Sequence, residues 1–367
     1  MTVTRRAAIT SSQTPAAPID KSRPRKSVKI DLALQGGGAH GAFTWGVLDR
    51  LLEESWLDID GISGTSAGAM NAAVLVSGYA HNGVAGAREA LQQFWRRVSD
   101  SARLSPFQRS PLDILLGRWS LDYSPLFVSF DIAARLLSPY NFHTGGINAL
   151  ENILAQSINF EALAHAPIKL FVTATNVRTG LARIFRNQEL SVHALLASAC
   201  LPTLFQAIII DGDAYWDGGY TGNPSITPLV RECDSHDTIL VQINPQERPG
   251  TPRSAREILN RLNEISFNAP LLKELRMIAL LREAIDSSKH HDSDNIECYR
   301  WARMRIHLVV SDRMIELGYS SKLNAEWAFL CMLRDEGRRA ADTFLCEQGA
   351  KIGRQSSFDL TQLVKEW

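Results

Sequence analysis

The stretch that decides the fold is VKIDLALQGGGAHGAF, residues 28–43. Its first seven residues alternate and then become solidly apolar, which predicts a strand entering a buried sheet over Val28–Leu34. A glycine loop follows, and apolar residues then recur at helical spacing from Phe43 to Leu52. Because strand, glycine loop and helix in this order open an α/β unit, we predict an α/β fold.

A second unit follows and carries a serine. Ile59–Gly64 predicts a strand, and it leads into Gly64-Thr65-Ser66-Ala67-Gly68 and then a helix of small residues. This is the pattern GxSxG between a strand and a helix. The glycines Gly64 and Gly68 permit the sharp turn that projects a serine hydroxyl from the sheet edge. We therefore predict that Ser66 is a nucleophile.

The glycine loop admits two interpretations. Its residues 36–41 satisfy GxGxxG, and Asp60 lies about 20 residues further on, as in a dinucleotide-binding unit. The same geometry suits an oxyanion hole, because the N–H groups of Gly36, Gly37 and Gly38 can converge without side chains in the way. The neighbouring GxSxG motif favours the oxyanion hole over a dehydrogenase.

A serine nucleophile needs a proton acceptor. The histidines downstream occupy no Gly- or Pro-rich turn after a strand and are typical of surface or packing residues: His81, His143, His165, His193, His236, His290, His291 and His307. Asp217 is the better candidate, since Gly218 and Gly219 follow it and leave its carboxylate approachable. The simpler alternative is that Asp217-Gly218 is only a turn dipeptide.

The rest of the chain predicts several parts. Further strands are expected at Lys169–Thr175, Ile208–Asp211, Thr238–Ile243 and Arg305–Val310, and helices at 258–281 and 322–346. We divide the chain into a disordered basic arm (1–27), a main domain (28–245) with an inserted cap (101–146), a mostly helical C-terminal extension (250–350) and a tail (351–367).

The inserted cap is rich in proline and aromatic residues. Two roles are open for it: an acyl-chain pocket or lid, or a second small core. The residues concerned are Phe107, Leu115, Leu116, Trp119 and Phe127.

Composition excludes several classes of protein. The 39 basic and 39 acidic residues give zero net charge, which removes the bulk-charge argument for nucleic-acid binding. The five cysteines are an odd number without CxxC spacing, which predicts reduced thiols rather than disulfides or zinc. No signal peptide and no apolar stretch of about 18 residues is seen, so we expect a cytoplasmic protein.

The zero net charge hides an uneven distribution. Residues 1–30 hold seven basic residues and one acidic residue, whereas the remainder holds 32 basic and 38 acidic residues. A basic arm of this kind can hold a protein at the inner face of an anionic membrane. The alternative is a solubilising tail.

The glycine loop, the GxSxG turn and Asp-Gly-Gly, in this order, resemble the patatin-like phospholipase family over about residues 28–230. The stretch Ala197–Pro202 resembles the small-residue helix and proline turn that precede the family's Asp motif. The resemblance implies a three-layer α/β/α sandwich around a mostly parallel sheet, extended by C-terminal helices. It also implies a Ser66–Asp217 dyad without histidine, and no metal or organic cofactor.

The implied activity is hydrolysis of acyl esters of phospholipids or lysophospholipids through an acyl-serine intermediate. The alternative is a lipid-binding or scaffolding protein with little turnover. Two positions depart from the family pattern: His40 stands where a basic residue is usual, and Gln35 where aspartate is common. The remaining motif positions match, namely Gly41, Gly64, Gly68, Gly218 and Gly219. The sequence does not indicate an oligomeric state.

Overall fold

The strands of the computed structural model lie in one mixed sheet. The structure describes residues 25–103, 105, 107–141, 146–287 and 296–365. Within them the strands are β1 (Val28–Leu34), β2 (Leu57–Gly64), β3 (Lys169–Asn176), β4 (Ala182–Arg186), β5 (Ile208–Ile210), β6 (Asp213–Asp217), β7 (Asp237–Val241) and β8 (Arg305–Val309).

The sheet has the order β5-β6-β3-β2-β1-β7-β8, with β4 paired to β3. The pairs that join β3, β2, β1, β7 and β8 are all parallel. Strands β4, β5 and β6 are antiparallel to their neighbours. The centre of the sheet is therefore parallel, as predicted, and the antiparallel strands are confined to one side.

Helices cover both faces of the sheet. Within the described ranges they are α1 (Gly41–Leu51), α2 (Ala67–Ala102), α3 (Pro111–Leu115), α4 (Pro125–Leu136), α5 (Gly146–Ser157), α6 (Phe160–Ala164), α7 (Val192–Ser198), α8 (Thr227–Glu232), α9 (Ala255–Ser287), α10 (Ile296–Arg303), α11 (Arg313–Glu316), α12 (Trp327–Gln348) and α13 (Gln362–Lys365). Helix α2 is kinked at Asn82 and Gly83, whose φ and ψ angles are not helical.

The alternation along β1 explains the layers. Leu32 and Leu34 point into a core that contains residues of α1, α2 and α12. Ala33 points to the opposite face, where residues of α8 and α9 pack. Burying each leucine contributes roughly 1.5–3 kcal/mol. The three-layer α/β/α sandwich with additional C-terminal helices is thus confirmed.

Two strands that the sequence did not predict place Asp217. Strand β4 occupies one edge of β3 over residues 171–175, so β2 and β6 share the other edge. Strand β2 ends at Gly64, opposite Val172, and β6 ends at Asp217, opposite Ala174. Asp217 therefore emerges directly beyond the end of β2, where the GxSxG turn begins.

The strand predicted over Ile208–Asp211 is shorter and more exposed than its apolar run suggests. A strand forms, but it covers only Ile208–Ile210, and the side chain of Ile209 is 61% exposed. The reason is its place in the sheet, since β5 lies at the edge and pairs only with β6. Its apolar run indicates a strand, but it does not show that both faces are covered.

The C-terminal region joins the sheet through β8. Asp237 of β7 is 1% exposed and accepts hydrogen bonds from Arg305, from Nε2 of His307 at 2.9 Å, and from the N–H of Gly353. The hydrogen bond from His307, together with those from Arg305 and Gly353, holds the pKa of Asp237 below its ordinary value against the opposing effect of burial. Residues beyond 300 therefore share a core with residues 28–241.

The predicted basic arm falls largely outside the described residues, which begin at Arg25. The Arg25 guanidinium stacks on Trp56 at 3.6 Å from the ring centroid and donates a hydrogen bond to the carbonyl of Gly349. Among the described residues, no helix has both the length and the apolar character needed to cross a membrane.

Candidate active site

Ser66 occupies a strained turn between β2 and α2. Its φ of 53° and ψ of −122° are rare for a residue with a side chain. A Cβ on Gly64 would lie 2.7 Å from the carbonyl carbon of Gly68, and one on Gly68 would lie 2.2 Å from the oxygen of Leu34. Both glycines are therefore needed for the turn to pack against the end of β1.

A hydrogen-bonded relay holds this turn in place. The backbone N–H of Ser66 donates to Oγ of Ser198 at 2.9 Å, and that hydroxyl donates to the carbonyl of Thr173 at 2.6 Å. Oγ1 of Thr65 donates to the carbonyl of Gly222 at 2.6 Å, beyond the Asp-Gly-Gly motif. The elbow is thus fixed to β3 and to the loop that follows Asp217, and strain of this kind is typical of functional sites.

The glycine loop lies beside the serine turn. The N–H of Gly36 donates to Oδ1 of Asn223 at 2.7 Å, and its carbonyl accepts from Nδ2 of Asn244 at 2.8 Å. In the described part of the chain, the N–H groups of Gly37 and Gly38 have no hydrogen-bond partner. Gly36 was predicted as an oxyanion donor, but its N–H is occupied in this structure. Two free donors remain at the loop.

Backbone geometry explains two of these glycines. Gly38 has a φ of +58°, and a Cβ there would lie 2.5 Å from the carbonyl oxygen of Lys322. A Cβ on Gly36 would lie 2.8 Å from Cβ of Ser66. Glycine at these positions therefore lets the loop pack directly against the serine turn on one side and the C-terminal region on the other.

Asp217 is buried beside Ser66. Its carboxylate is 1% exposed and accepts a hydrogen bond from the N–H of Gly219 at 2.7 Å. Burial raises the pKa of Asp217 to about 7, although hydrogen bonds from Gly219 and the Ser66 side chain, and the charge of Lys322, act in the opposite direction. The structure thus brings together the hydroxyl and the carboxyl group that the motifs single out. Asp217 ends a strand and is not merely part of a turn dipeptide.

These groups open into one apolar cavity of about 380 Å³. Its polar lining includes Ser66, Asp217 and the three loop glycines. The apolar and aromatic lining consists of Phe127, Phe130, Ala134, Leu201, Leu204, Tyr220, Leu259, Phe267, Tyr319 and Leu323. A cavity of this size and character suits an apolar ligand with a reactive group at the polar end.

The inserted segment contributes to this cavity through α4. Phe127 and Phe130 line it, and the ring of Phe107 packs behind them, 4.8 Å from that of Phe130. Trp119 instead packs on Phe329 of α12, at 5.2 Å between ring centroids. Leu115 and Leu116 are 81% and 51% exposed. The five aromatic and leucine residues predicted to act together are therefore divided among the cavity, the core and the surface.

His40 does not face the cavity. It is 2% exposed, and its Nε2 lies 2.8 Å from Oγ of Ser321. Burial, helped by the positive charges of Lys322 and Arg248, holds the pKa of His40 well below its ordinary value. His40 therefore packs in the core and brings no positive charge to the position where the family pattern usually has a basic residue.

Gln35, the second position that departs from the family pattern, forms hydrogen bonds with segments on two sides of the glycine loop. It is fully buried, and its Oε1 accepts the N–H groups of Ile243 and Asn244, each at 2.9 Å. Its Nε2 donates to Oδ1 of Asn268 at 3.1 Å. Gln35 thus fixes the glycine loop to the segment after β7 and to α9.

Among the described histidines, none lines the cavity. His165 and His193 are exposed, and His307 is bound to Asp237. His143, His290 and His291 lie outside the described residues. Among the residues described around the cavity, Asp217 is the carboxylate that lies beside Ser66.

A second group of polar residues could in principle hold a cation. Donor atoms of Asp31, Asp60 and Cys233 lie within 4.8 Å of one another. Burial raises the pKa of Asp31 to about 8 and also raises that of Cys233, whereas Asp60 lies 3.7 Å from Lys29 and 3.5 Å from Lys169. Lys29 and Lys169 already balance the charge of Asp60, and the raised pKa of Asp31 leaves little negative charge for a cation.

The position of the acidic residues in β2 also argues against the dinucleotide-binding interpretation. Asp58 pairs with Lys29 at the start of β1, whereas the glycine loop follows the end of β1. The acidic residues of β2 thus lie toward the start of the parallel strands, away from the loop at the other end. A ribose-binding acid would have to follow the end of β2, next to the loop, and that place is taken by Ser66.

The fold and the site together define a class. The protein is an α/β sandwich with a strained serine at a strand–helix elbow, a buried aspartate beside it and a glycine loop over both. The patatin-like phospholipase family model matches residues 32–230, more than half of the chain, and the chain belongs to this family.

The named relatives match this chain at low sequence identity. Uncharacterized NTE family proteins of Mycobacterium tuberculosis and Mycobacterium bovis are 26% identical over 255 residues, which is 68% of this chain and 59% of theirs. Among solved structures, VipD from Legionella pneumophila matches with 15% identity and a TM-score of 0.30, covering 85% of this chain and 67% of that one. The ExoU–SpcU complex of the Pseudomonas aeruginosa type III secretion system matches with 17% identity and a TM-score of 0.27, covering 94% and 82%.

Proposed function

We propose that the protein is a serine acyl hydrolase that cleaves ester bonds of phospholipids or lysophospholipids. The observation that carries this proposal is the adjacency of the Ser66 hydroxyl and the buried Asp217 carboxyl in an apolar cavity. The free N–H groups of Gly37 and Gly38 line the same cavity. Membership of the patatin-like phospholipase family supports the choice of a lipid ester as substrate.

Acylation begins with Asp217 as the base. Its carboxylate accepts the hydroxyl proton of Ser66 while Oγ attacks the ester carbonyl carbon, and the carbonyl oxygen becomes an oxyanion. The N–H groups of Gly37 and Gly38 donate hydrogen bonds to that oxygen, where charge develops only in the transition state. The C–O bond then breaks, Asp217 returns the proton to the leaving alkoxide, and an acyl-Ser66 ester remains.

Deacylation repeats these roles with water. Asp217 accepts a proton from water as the water oxygen attacks the acyl-Ser66 carbonyl. Collapse of the second oxyanion breaks the bond to Oγ, which takes the proton from Asp217. The products are a fatty acid and free Ser66. An aspartate with a pKa of about 7 is a better base for these steps than one with an ordinary pKa of about 3.9.

The surface around the cavity suits contact with a lipid interface. Helices α4 and α9 line the cavity and also present apolar side chains to solvent, such as Leu126 at 60% and Leu262 at 53% exposure. Leu115 of α3 is also exposed, at 81%. Exposed apolar residues in such numbers are typical of interaction sites. We therefore include peripheral membrane contact in the proposal.

The direct test is hydrolysis of phospholipid and lysophospholipid vesicles by the full chain, with the released fatty acids identified by mass spectrometry. Ser66→Ala and Asp217→Asn should each abolish release while the chain stays folded. The matched controls are Ser101→Ala, an exposed serine, and Asp213→Asn, an aspartate on the same strand as Asp217. Release by Ser66→Ala at the wild-type rate would refute the assignment, and stoichiometric lipid binding without release would favour the lipid-binding alternative.

A further inference from the structure

Lys322 reaches the candidate active site from the C-terminal region. It lies in a short 3-10 turn, Ser320–Leu323, between β8 and α12, and its side chain lines the same cavity as Ser66 and Asp217. No motif surrounds Lys322, and its turn precedes an amphipathic helix whose pattern predicts only packing, so its place in the cavity was not predicted. It is placed there by the fold alone.

Contacts join Lys322 to the glycine loop. Its ammonium donates a hydrogen bond to Oδ1 of Asn244 at 2.7 Å, and Nδ2 of Asn244 donates to the carbonyl of Gly36 at 2.8 Å. The carbonyl oxygen of Lys322 lies so near Gly38 that a Cβ there would be 2.5 Å from it. The loop and the lysine therefore form one packed unit.

Lys322 also carries the only positive charge that lines the cavity among the described residues, and Asp217 carries the only negative one. No carboxylate lies within 4.0 Å of its ammonium in the described part of the chain. The nearby Glu264 of α9 is bound instead by Arg248 at 2.7 Å and by Arg261 at 3.3 Å. The ammonium thus has an amide partner but no ion pair of its own.

We infer that Lys322 is the cationic member of the oxyanion site, and that its charge stabilises the anion formed at Gly37 and Gly38 during acyl transfer. This inference rests on the proposed function. A positive charge in a cavity of low polarity acts strongly on an anion that forms there. Because the anion exists only in the transition state and the tetrahedral intermediates, the charge raises kcat more than it lowers KM.

The ionisation of Lys322 supplies a readout that a packing role would not change. Burial lowers the pKa of Lys322 to about 8; the charge of Arg248 lowers it further, and those of Glu264 and Asp217 raise it. The other groups near it are His40, whose pKa is held well below its ordinary value, and the ring of Tyr319, 5.9 Å from the ammonium. Activity should therefore fall as pH rises through about 8 and the ammonium loses its charge.

Asp217 titrates on the acid side of this range, and two other groups near the cavity titrate well above it. Burial raises the pKa of Tyr220 to about 12 and that of Cys200 to about 12. A loss of activity near pH 8 can therefore be assigned to Lys322 by substitution. Lys322→Arg keeps the charge, since arginine stays protonated up to about pH 12, and Lys322→Met removes it while keeping most of the length.

The experiment measures kcat and KM of the full chain for a soluble, uncharged short-chain ester between about pH 6 and pH 10. We expect wild type to lose activity above about pH 8, Lys322→Arg to keep it, and Lys322→Met to lose about 10²-fold in kcat with little change in KM and no alkaline decline. Lys351→Met, a half-buried lysine at the end of α12, is the control for a general effect of lysine removal.

The outcomes separate this inference from the proposed function. A Lys322→Met protein with wild-type kcat, or a low kcat with the alkaline decline unchanged, refutes the role of Lys322 alone. The role of Lys322 is also refuted if activity declines at the same alkaline pH in wild type and in Lys322→Arg. That comparison does not require the Lys322→Met variant to fold. A wild type that neither hydrolyses the ester nor reacts at Ser66 with a fluorophosphonate refutes the proposed function and this inference together.

Discussion

The burial of Asp217 leads to a prediction about the acid side of the pH profile. The carboxylate must be ionised to accept the proton of Ser66, so activity should fall as pH decreases through the pKa of Asp217. With a pKa of about 7, about nine tenths of the carboxyl groups are ionised at about pH 8 and about one tenth at about pH 6. The ionisation of Asp217 alone would make turnover drop about tenfold between these pH values, and half ionisation of Lys322 at about pH 8 reduces the expected drop to about fivefold.

Burial of the Asp217 side chain causes its raised pKa, and a substitution can reduce that burial. A Cβ on Gly219 would lie 2.2 Å from Cε1 of Phe267, which also lines the cavity. Phe267→Ala removes that ring and admits water near the carboxylate, so the pKa of Asp217 should move towards the ordinary value of about 3.9. The decline in activity should then occur at lower pH, although the weaker base lowers the plateau.

The assay is kcat/KM for a soluble, uncharged ester between about pH 5 and pH 8, because kcat/KM reports ionisations of the free enzyme. His193→Gln, at an exposed position on α7, is a control for the removal of a surface histidine. Constant activity of wild type between about pH 6 and pH 8 would refute the reasoning. The reasoning would also be refuted if the activity of Phe267→Ala declined at the same pH as that of wild type. It would be refuted as well if the decline disappeared in His193→Gln.

Three further changes test the surroundings of the site. Gly38→Ala puts a Cβ 2.5 Å from the carbonyl oxygen of Lys322 at a φ of +58°; kcat should fall about tenfold or more, and an unchanged kcat would contradict the tight loop. Asp237→Asn removes the buried carboxylate that ties β7 to β8; urea titration should show a loss of about 3 kcal/mol in the free energy of unfolding, and an unchanged midpoint would argue against this. Leu115→Ser combined with Leu126→Ser removes two side chains that are 81% and 60% exposed; co-sedimentation with phospholipid vesicles should weaken while hydrolysis of a soluble ester does not, and equal co-sedimentation would count against a membrane-facing surface.

Local motifs carried most of what the sequence predicted. The bounds of β1 are those expected, and Ser66 lies between a strand and a helix. Such features depend on residues close together in the chain, since the alternation of Val28–Leu34 and the glycines around Ser66 allow few other conformations. The parallel centre of the sheet follows from the same strand–helix alternation.

Contacts between distant segments were not predictable in this way. Strand β6 is short, and only its pairing with the exposed edge of β3 makes it a strand. Ser198, which accepts from the N–H of Ser66, lies in the stretch that resembles the family's small-residue helix, and Asn223, which accepts from the N–H of Gly36, follows the Asp-Gly-Gly motif. Neither local pattern indicates these contacts. Lys322 depends on the packing of the C-terminal region against the loop.

His40 illustrates the limit of reasoning from a position in a motif. It stands before Gly41, where a basic residue is usual, but its ring packs against Phe329 and bonds to Ser321. In a short helical turn, some side chains point into the core and others toward the surface or a cavity. The residue type at one motif position does not indicate in which direction its side chain points. The positive charge beside the loop comes from Lys322 instead.

The central claim is that Asp217 activates Ser66 for attack on an acyl group. The most direct measurement is the rate at which a fluorophosphonate labels the full chain, followed by intact mass and peptide mapping. The account predicts one adduct per chain on Ser66, none in Ser66→Ala, and labelling of Asp217→Asn slower by about 10²-fold or more. An adduct on another residue, or labelling of Asp217→Asn at the wild-type rate, would contradict it.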